Sequence, residues 1–301
     1  MRVRGWVVAI MVGMLAACGN SDDKQTELEQ LRFGSEGMQA CVQSNAERFD
    51  WQTVAEFQAL YCYYLDEMTS ADGIEQLRAI YDLKLHHLPL TELAVAALPE
   101  LSHVEISNTA IEALNFDSNA ALRLLELERN AQLQSVTLGE RTELASAKLL
   151  FNENLREIQM GHVPELQVMR AWFNPSLSVI RIASAPRMYG FSVQGNALTQ
   201  LELNDSPWLG ALYVEQNQLS VLELSGMPGL LKLSAADNQL EALDLSPVPE
   251  VWSLQLANNR LTHIRFDHNP LLREVDLTGN PLDEATRVYL DGINWIEDLT
   301  Y

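Results

Sequence analysis

Apolar residues recur along most of this chain in one phrase, in which positions 1, 4, 6 and 11 are apolar and position 9 is an asparagine. Three consecutive copies read Leu209-x-x-Leu212-x-Val214-x-x-Asn217-x-Leu219, Leu230-x-x-Leu233-x-Ala235-x-x-Asn238-x-Leu240 and Val251-x-x-Leu254-x-Leu256-x-x-Asn259-x-Leu261. The first position falls at Ile80, Leu101, Leu122, Leu144, Leu166, Met188, Leu209, Leu230, Val251 and Leu272, which makes about ten copies. Their spacing is 21 residues for two intervals, 22 for the next three and 21 thereafter. A fixed period of this length predicts stacked coils, each burying its apolar face against its neighbours, rather than one closed core. Alternation over positions 3 to 7 points positions 4 and 6 inward and 3, 5 and 7 outward, so each copy predicts one short strand. A second apolar pair, as in Leu201-x-Leu203, Leu222-x-Leu224 and Leu243-x-Leu245, faces the same interior from the opposite side. Each fully buried Leu or Val contributes roughly 1.5–3 kcal/mol, so stacking supplies stability that no single coil has.

The asparagines at position 9 are Asn130, Asn152, Asn174, Asn196, Asn217, Asn238, Asn259 and Asn280. They stand where the chain leaves its strand and the backbone loses ladder partners. A side-chain amide both donates and accepts, so it can serve the coils on either side. This row is expected to be structural. Leu88 and Thr109 replace it in the first two copies, which predicts differently bonded turns there. Prolines 99, 164, 186, 207, 228, 249 and 270 lie two residues before the next copy and resist helix where a strand is about to begin.

The phrase L-x-x-L-x-L-x-x-N-x-L resembles the leucine-rich repeat, in particular the short bacterial, internalin-like form, over residues 80–282. The resemblance implies an α/β-type solenoid, a curved right-handed coil with a parallel sheet on its concave side. Exposed coil ends would be sticky, so caps are expected. Residues 283–301 predict a C-terminal cap helix, started by Asp283 and ended near Gly292, with Trp295 and Ile296 under it. Residues 36–79 predict an N-terminal cap with a helix following Asp50 and a worn repeat in Phe57, Leu60, Cys62, Ile74 and Leu77.

The first segment is a different kind of sequence. Arg2 and Arg4 precede an apolar run from Trp6 to Ala16 that is too short to span a bilayer. Residues 1–17 therefore read as a secretion signal. Leu15-Ala16-Ala17-Cys18 resembles the lipobox of bacterial lipoproteins, which implies that Cys18 is the lipidated first residue of the mature chain. Gly19 in place of an aspartate then implies release to the outer membrane, with residues 18–35 as a flexible tether. Either a periplasmic or a surface-facing display is compatible with this. Cys41 and Cys62 are an even pair in a compartment where disulfides persist; the alternative is that Cys62 is a small buried residue of the worn repeat.

Apolar residues make up 47% and charged residues 20% of the chain, which is the composition of a folded protein. The net charge of −21 becomes −23 once the two arginines of residues 1–17 are removed. Such a field repels phosphate backbones and anionic lipid heads, so nucleic acid is not an expected partner and membrane contact is expected only through the lipid.

Positions 2, 3, 5, 7 and 8 line the outward face of the predicted sheet. Early copies present Asp82, Lys84, His86, His87, His103, Glu105, Glu126 and Glu128, and late ones Ser234, Asp237, Gln255, Asn258 and Asp276. Between them stand Leu150, Phe151, Trp172, Phe173, Tyr189 and Tyr213, with Lys148 and Arg170 as cations. Exposed aromatic clusters with arginine mark binding surfaces. The competing reading is that these rings fold back to cover the bulkier 22-residue turns. Asp82, His103 and Glu105, or Glu202, Glu223 and Asp244, could neighbour one another, but a solvated polar face explains both sets and no metal or cofactor is expected.

There is no H-E-x-x-H, G-x-S-x-G, glycine-rich phosphate loop or C-x-x-C. Enzyme activity is accordingly not expected. The functional expectation is a monomeric, membrane-anchored module that binds a protein or peptide through its concave face. Alternatives are glycan binding to envelope or surface polysaccharide, and a ligand-free structural role in the cell envelope. The lipobox reading carries a direct check: Cys18→Ser should move the full chain from the membrane pellet to the soluble fraction of its bacterial host and abolish labelling by a palmitate analogue.

Overall fold

The computed structural model describes residues 31–139 and 143–301; the expected secretion signal, Cys18 and most of the expected tether lie outside the described residues. The described chain is a parallel β-solenoid. Twelve strands form one long sheet: Ala59–Tyr63, Asp82–Leu88, His103–Thr109, Leu124–Glu128, Ser146–Leu150, Val168–Trp172, Gly190–Ser192, Ala211–Tyr213, Lys232–Ser234, Ser253–Gln255, Glu274–Asp276 and Asp298–Thr300. Neighbours in this sheet are consecutive coils, always in the same register, so that position 5 faces position 5 (Lys148 against Arg170, Arg170 against Ser192, Ser192 against Tyr213). The phrase therefore translates directly into columns of side chains that run across the strands, with coils about 4.8 Å apart.

On the opposite side the coils differ. A second parallel sheet is built only from Ala113–Asn115, Ser135–Leu138, Glu157–His162, Val179–Ser184 and Gln200–Leu203. Its two six-residue strands belong to coils that carry the extra residue; Ala113–Asn115 and Gln200–Leu203, in 21-residue coils at its two edges, are shorter, and beyond Leu203 this side becomes a series of turns. The added residue goes with a longer second strand, while pairing itself also occurs in the 21-residue coils at either edge. Among the described residues α-helix is confined to the two ends, so the return path of a coil is extended chain, turn or a single 3-10 turn such as Val95–Ala97 rather than an α-helix. Among the described residues no helix is long and apolar enough to cross a membrane.

The interior is one continuous column of buried Leu, Ile, Val, Met and Phe, entered by positions 1, 4 and 6 of every coil. The asparagines run beside it. Asn152 donates to the carbonyl of Leu127 in the preceding coil at 3.1 Å, and its oxygen accepts the amide of Asn130 at 3.0 Å. Asn174 serves Leu149 and Asn152 in the same way, and Asn196 accepts from Asn174. From Asn217 onward the acceptor role shifts by two residues: Asn217 receives the amide of Leu198, Asn238 that of Leu219, Asn259 that of Leu240 and Asn280 that of Leu261, all at 3.0 Å. The row thus has two bonding modes, and the change at Asn196 coincides with the return to the shorter period. Thr109 joins the row, its amide and hydroxyl both donating to Asn130.

Both ends depart from the sequence expectation. The N-terminal helix is α1, Glu36–Phe49, and Asp50 ends it with φ 55° instead of preceding it. Ser35 starts it by accepting from the Met38 amide. After Asp50 there is only a single 3-10 turn, Val54–Glu56, because the chain must at once become extended to enter a coil. That coil, begun by Phe57, is an eleventh repeat whose strand Ala59–Tyr63 pairs with Asp82–Leu88. The expected tether is also shorter, since Leu31 is buried and the amide of Gly34 bonds the carbonyl of Asp72. Helix α1 closes the first strand's open edge: Asn45 accepts the amide of Tyr61 and donates to its carbonyl, each at 3.0 Å. A disulfide between Cys41 and Cys62 ties helix to coil across 21 residues, a loop worth about 3 kcal/mol of chain entropy.

At the other end α2, Glu284–Asp291, begins at Asp283, whose carboxylate accepts the Thr286 amide at 2.7 Å. Ile296 is buried while Trp295 stays exposed. Asp298–Thr300 then adds a twelfth strand that the repeat phrase did not announce. Burial opposes the charged form of Asp276 beside it, but the amide and hydroxyl of Thr278 and the hydroxyl of Thr300 outweigh this and hold its carboxyl below the ordinary range.

If the asparagine row joins the coils, Asn174→Ala should cost roughly 2–4 kcal/mol in urea unfolding, since the Asn152 amide and the Leu149 carbonyl are left buried and unpaired. An exposed neighbour change such as Ser176→Ala should cost under about 0.5 kcal/mol. Equal midpoints for the two variants would remove the row from its structural role.

Candidate functional site

Position 8 of every coil has a left-handed backbone. Its φ lies between 53° and 76° at Tyr64, His87, Asn108, Arg129, Phe151, Phe173, Gly195, Gln216, Asp237, Asn258 and Gly279. Each turn out of a strand needs this conformation, which Gly, Asn and Asp tolerate and which is a strained outlier for a bulky side chain. Phenylalanine occupies it twice, in adjacent coils. The rings of Phe151 and Phe173 are stacked, with centroids 5.5 Å apart and planes 12° apart, and the Arg129 guanidinium lies 5.0 Å over the other face of Phe151. Beyond Phe173 the next residue in the column is Gly195, where a Cβ would stand 2.5 Å from the Phe173 ring. The glycine thus does two things: it accepts φ +68° and leaves the space in which Phe173 lies. The stack is closed at both ends, and Phe151 and Phe173 are still 38% and 47% exposed.

The other residues of the expected patch divide. Leu150 is 7% exposed, so its assignment to the accessible outward face is corrected: at position 7 it stands directly across from the large Trp172 and is buried. Trp172 is half-buried, and its indole N–H donates to Ser192 Oγ at 2.7 Å; Ser192 in turn donates to Gln194. Tyr213 is half-buried beside Ser192, and Tyr189 is 55% exposed at the start of its strand. Lys148 pairs with Glu126 at 3.2 Å. Arg170, directly across from Lys148, is exposed and has no carboxylate partner among the described residues. Glu215 Oε2, one coil beyond Gln194, is buried and has no hydrogen-bond partner among the described residues. Arg129, Ser192, Gln194, Gly195 and Glu215 were not singled out from the sequence, though the position-7 and position-8 columns already contained four of them.

The early end of the face is more aromatic than the phrase suggested, because the eleventh coil adds Tyr61, Tyr63 and Tyr64. Tyr63 stacks on His86 at 5.0 Å and Tyr64 on His87 at 4.4 Å. The signal was Phe57-x-x-Leu60-x-Cys62 followed by Tyr63 and Tyr64 at positions 7 and 8. Asp82, His103 and Glu105 do not converge. Asp82 accepts from Tyr61 at 2.5 Å, Glu105 pairs with Lys84 at 3.3 Å and lies 3.4 Å from His86, and His103 meets the edge of Tyr81. Burial lowers the pKa of His86 and, with the bond to Asp82, raises that of Tyr61. On the other side Glu202 pairs with Arg181, and Asp244 accepts the amide of Ser246. Among the described residues no three His, Cys, Asp or Glu side chains form a group able to hold a metal ion.

The closed stack can be tested by its fit. Gly195→Ala should destabilise the chain by about 1–2 kcal/mol for the left-handed backbone alone, and by more because the Phe173 ring must move. Adding Phe173→Asn should restore part of that loss. Strict additivity of the two changes in a double-mutant cycle would mean that ring and glycine do not touch.

No protein-family model matches the chain, and no curated protein matches it by sequence. Solved structures do. The functional domain of InlJ from Listeria monocytogenes, described as including a cysteine ladder, superposes on 86% of this chain at 16% identity with a TM-score of 0.50, and the chain spans 62% of that domain. The leucine-rich repeat domain of APL1B superposes on 90% of this chain and 82% of its own at 19% identity with a TM-score of 0.52. Identities this low speak to architecture, and together with the coil register and the asparagine row they establish that the chain has the leucine-rich repeat fold.

Proposed function

We propose that this protein is a recognition module that binds a protein or peptide through the outward face of the long sheet, over the coils from Leu144 to Leu209, and that a lipid on Cys18 holds it at the cell envelope. The observation that carries the reading is the choice of phenylalanine at positions 151 and 173. Each places a large apolar side chain where the backbone disfavours it, and leaves part of the ring exposed. The stacking of the two rings and the Arg129 contact offset part of the backbone strain, and strain of this kind concentrates at sites of function. Arg170 and the Trp172–Ser192–Gln194 chain beside the stack supply the arginine and tryptophan that anchor interfaces.

Glycan binding rests on a different surface. Sugars stack on open ring faces, and those of Phe151 and Phe173 are occupied by each other, by Arg129 and by the Gly195 backbone. The freer rings are Tyr189 and Trp208, the latter 74% exposed, on adjacent coils at the margin of the sheet. A glycan array probed with the full chain and with Trp208→Ala separates the readings, because only a sugar ligand would be lost with Trp208 alone.

The decisive variant is Phe151→Asn/Phe173→Asn. Asparagine suits the left-handed turn, so thermal unfolding should occur at the wild-type temperature or above it. Capture of envelope proteins by the purified chain, compared side by side, should lose its partner at least tenfold, about 1.4 kcal/mol. Equal recovery by both proteins would sink the assignment of the site.

A further inference from the structure

A shallow trough runs across the strands beside the phenylalanine stack. Its floor is the position-3 column, which narrows to Ser146, Val168, Gly190 and Ala211 in these coils, whereas the same column holds Asp82, His103 and Leu124 before them and Lys232, Ser253 and Glu274 after. The two glycines here are not required by the backbone. A Cβ at Gly190 would meet only Val168 at 3.9 Å and one at Gly210 only the carbonyl of Tyr189 at 3.7 Å, and neither residue has a positive φ. They leave open space. Tyr189 stands along one wall, and Lys148, Arg170 and Tyr213 of position 5 form the other, with Trp172 behind them.

Lys148 and Arg170 face each other on adjacent strands. Like charges directly opposite one another are destabilising in a sheet, and Glu126 neutralises only the lysine. This occurs in a chain of net charge −21, whose surface as a whole repels anions. An anion between the two cations would remove the repulsion. Acids flank the two cations on the wall side: Glu126 and Glu128, the latter paired with Arg129, in the coil before, and Glu215 with its unpartnered oxygen in the coil of Tyr213, while Lys232 continues the floor. They oppose a second or third negative charge along the same line.

We propose, building on the protein-binding reading of this face, that Lys148 and Arg170 form a carboxylate subsite, and that the trough takes an extended peptide segment with one acidic side chain flanked by small or apolar residues. Arg170 grips the carboxylate through its paired N–H groups, and Lys148 supplies a point charge. The acidic surface elsewhere makes this the place where such a segment docks, and gives selectivity against more acidic ones.

The test uses the full chain and a library of acetylated, amidated hexapeptides, with oligogalacturonate as a second carboxylate source. Retained peptides should carry a single Glu or Asp, and changing it to Gln should weaken binding about tenfold in calorimetry. The Lys148→Gln/Arg170→Gln variant should bind the Glu and Gln peptides alike, while its thermal unfolding temperature stays the same or rises because the cross-strand repulsion is gone. Retention without an acid preference, or a preference that survives in the variant, overturns the subsite and leaves peptide binding by the face intact. Retention of oligogalacturonate with no peptide retained overturns both.

Discussion

From Asn130 onward the stacking of this molecule depends on one buried side-chain amide per coil. A solenoid turn takes backbone out of the sheet and into the interior, where an unpaired N–H or C=O is costly. The asparagine at position 9 resolves this by donating to the coil before and accepting from a backbone amide of that same coil, so each coil is bonded into the next. Apolar burial provides most of the driving force but has no direction. The amide row provides the register, and the register makes columns of outward side chains exist at all. The two bonding modes show how tolerant the device is: the acceptor contact moves by two residues beyond Asn196 while the donor contact to the preceding coil is kept.

The same turn imposes the constraint from which function is read. Because the chain must leave every strand through a left-handed residue, position 8 has a conformational preference of its own, independent of packing. Most coils meet it with small, polar or glycine residues. Phe151 and Phe173 do not, nor does Tyr64, which stacks on His87; around the phenylalanines Arg129 covers one end of the stack and Gly195 yields at the other. The arrangement spans four coils whose residues lie more than sixty apart in the chain. Trp172, tied down by Ser192, and the small-residue floor around Gly190 complete a surface that is rigid and built by the scaffold rather than by mobile loops.

The architecture was legible because a solenoid is nearly one-dimensional, with each coil contacting only its neighbours, so a period in sequence is a period in space. The ends were less legible. Helix α1 precedes Asp50 instead of following it, because Ser35 is the cap and the chain beyond Asp50 is already committed to a coil. The strand Asp298–Thr300 carries no copy of the phrase and pairs only because an open edge is waiting for it. Leu150 sat in an outward column and is nonetheless buried, with the large Trp172 directly across from it on the next strand.

What the sequence determined alone is the coil: its period, its inward positions, its amide row and the columns to which each outward residue belongs. These follow from local alternation and a repeated amide, which no long-range contact overrides. Only the tertiary structure decided which of those outward residues are free. That Phe151 and Phe173 occupy each other's faces, that Lys148 is paired and Arg170 is not, and that Gly195 makes room while Gly190 leaves it empty all depend on distances between coils. Column membership is a property of the chain, whereas the size and direction of each side chain's neighbours a coil away is a property of the stack.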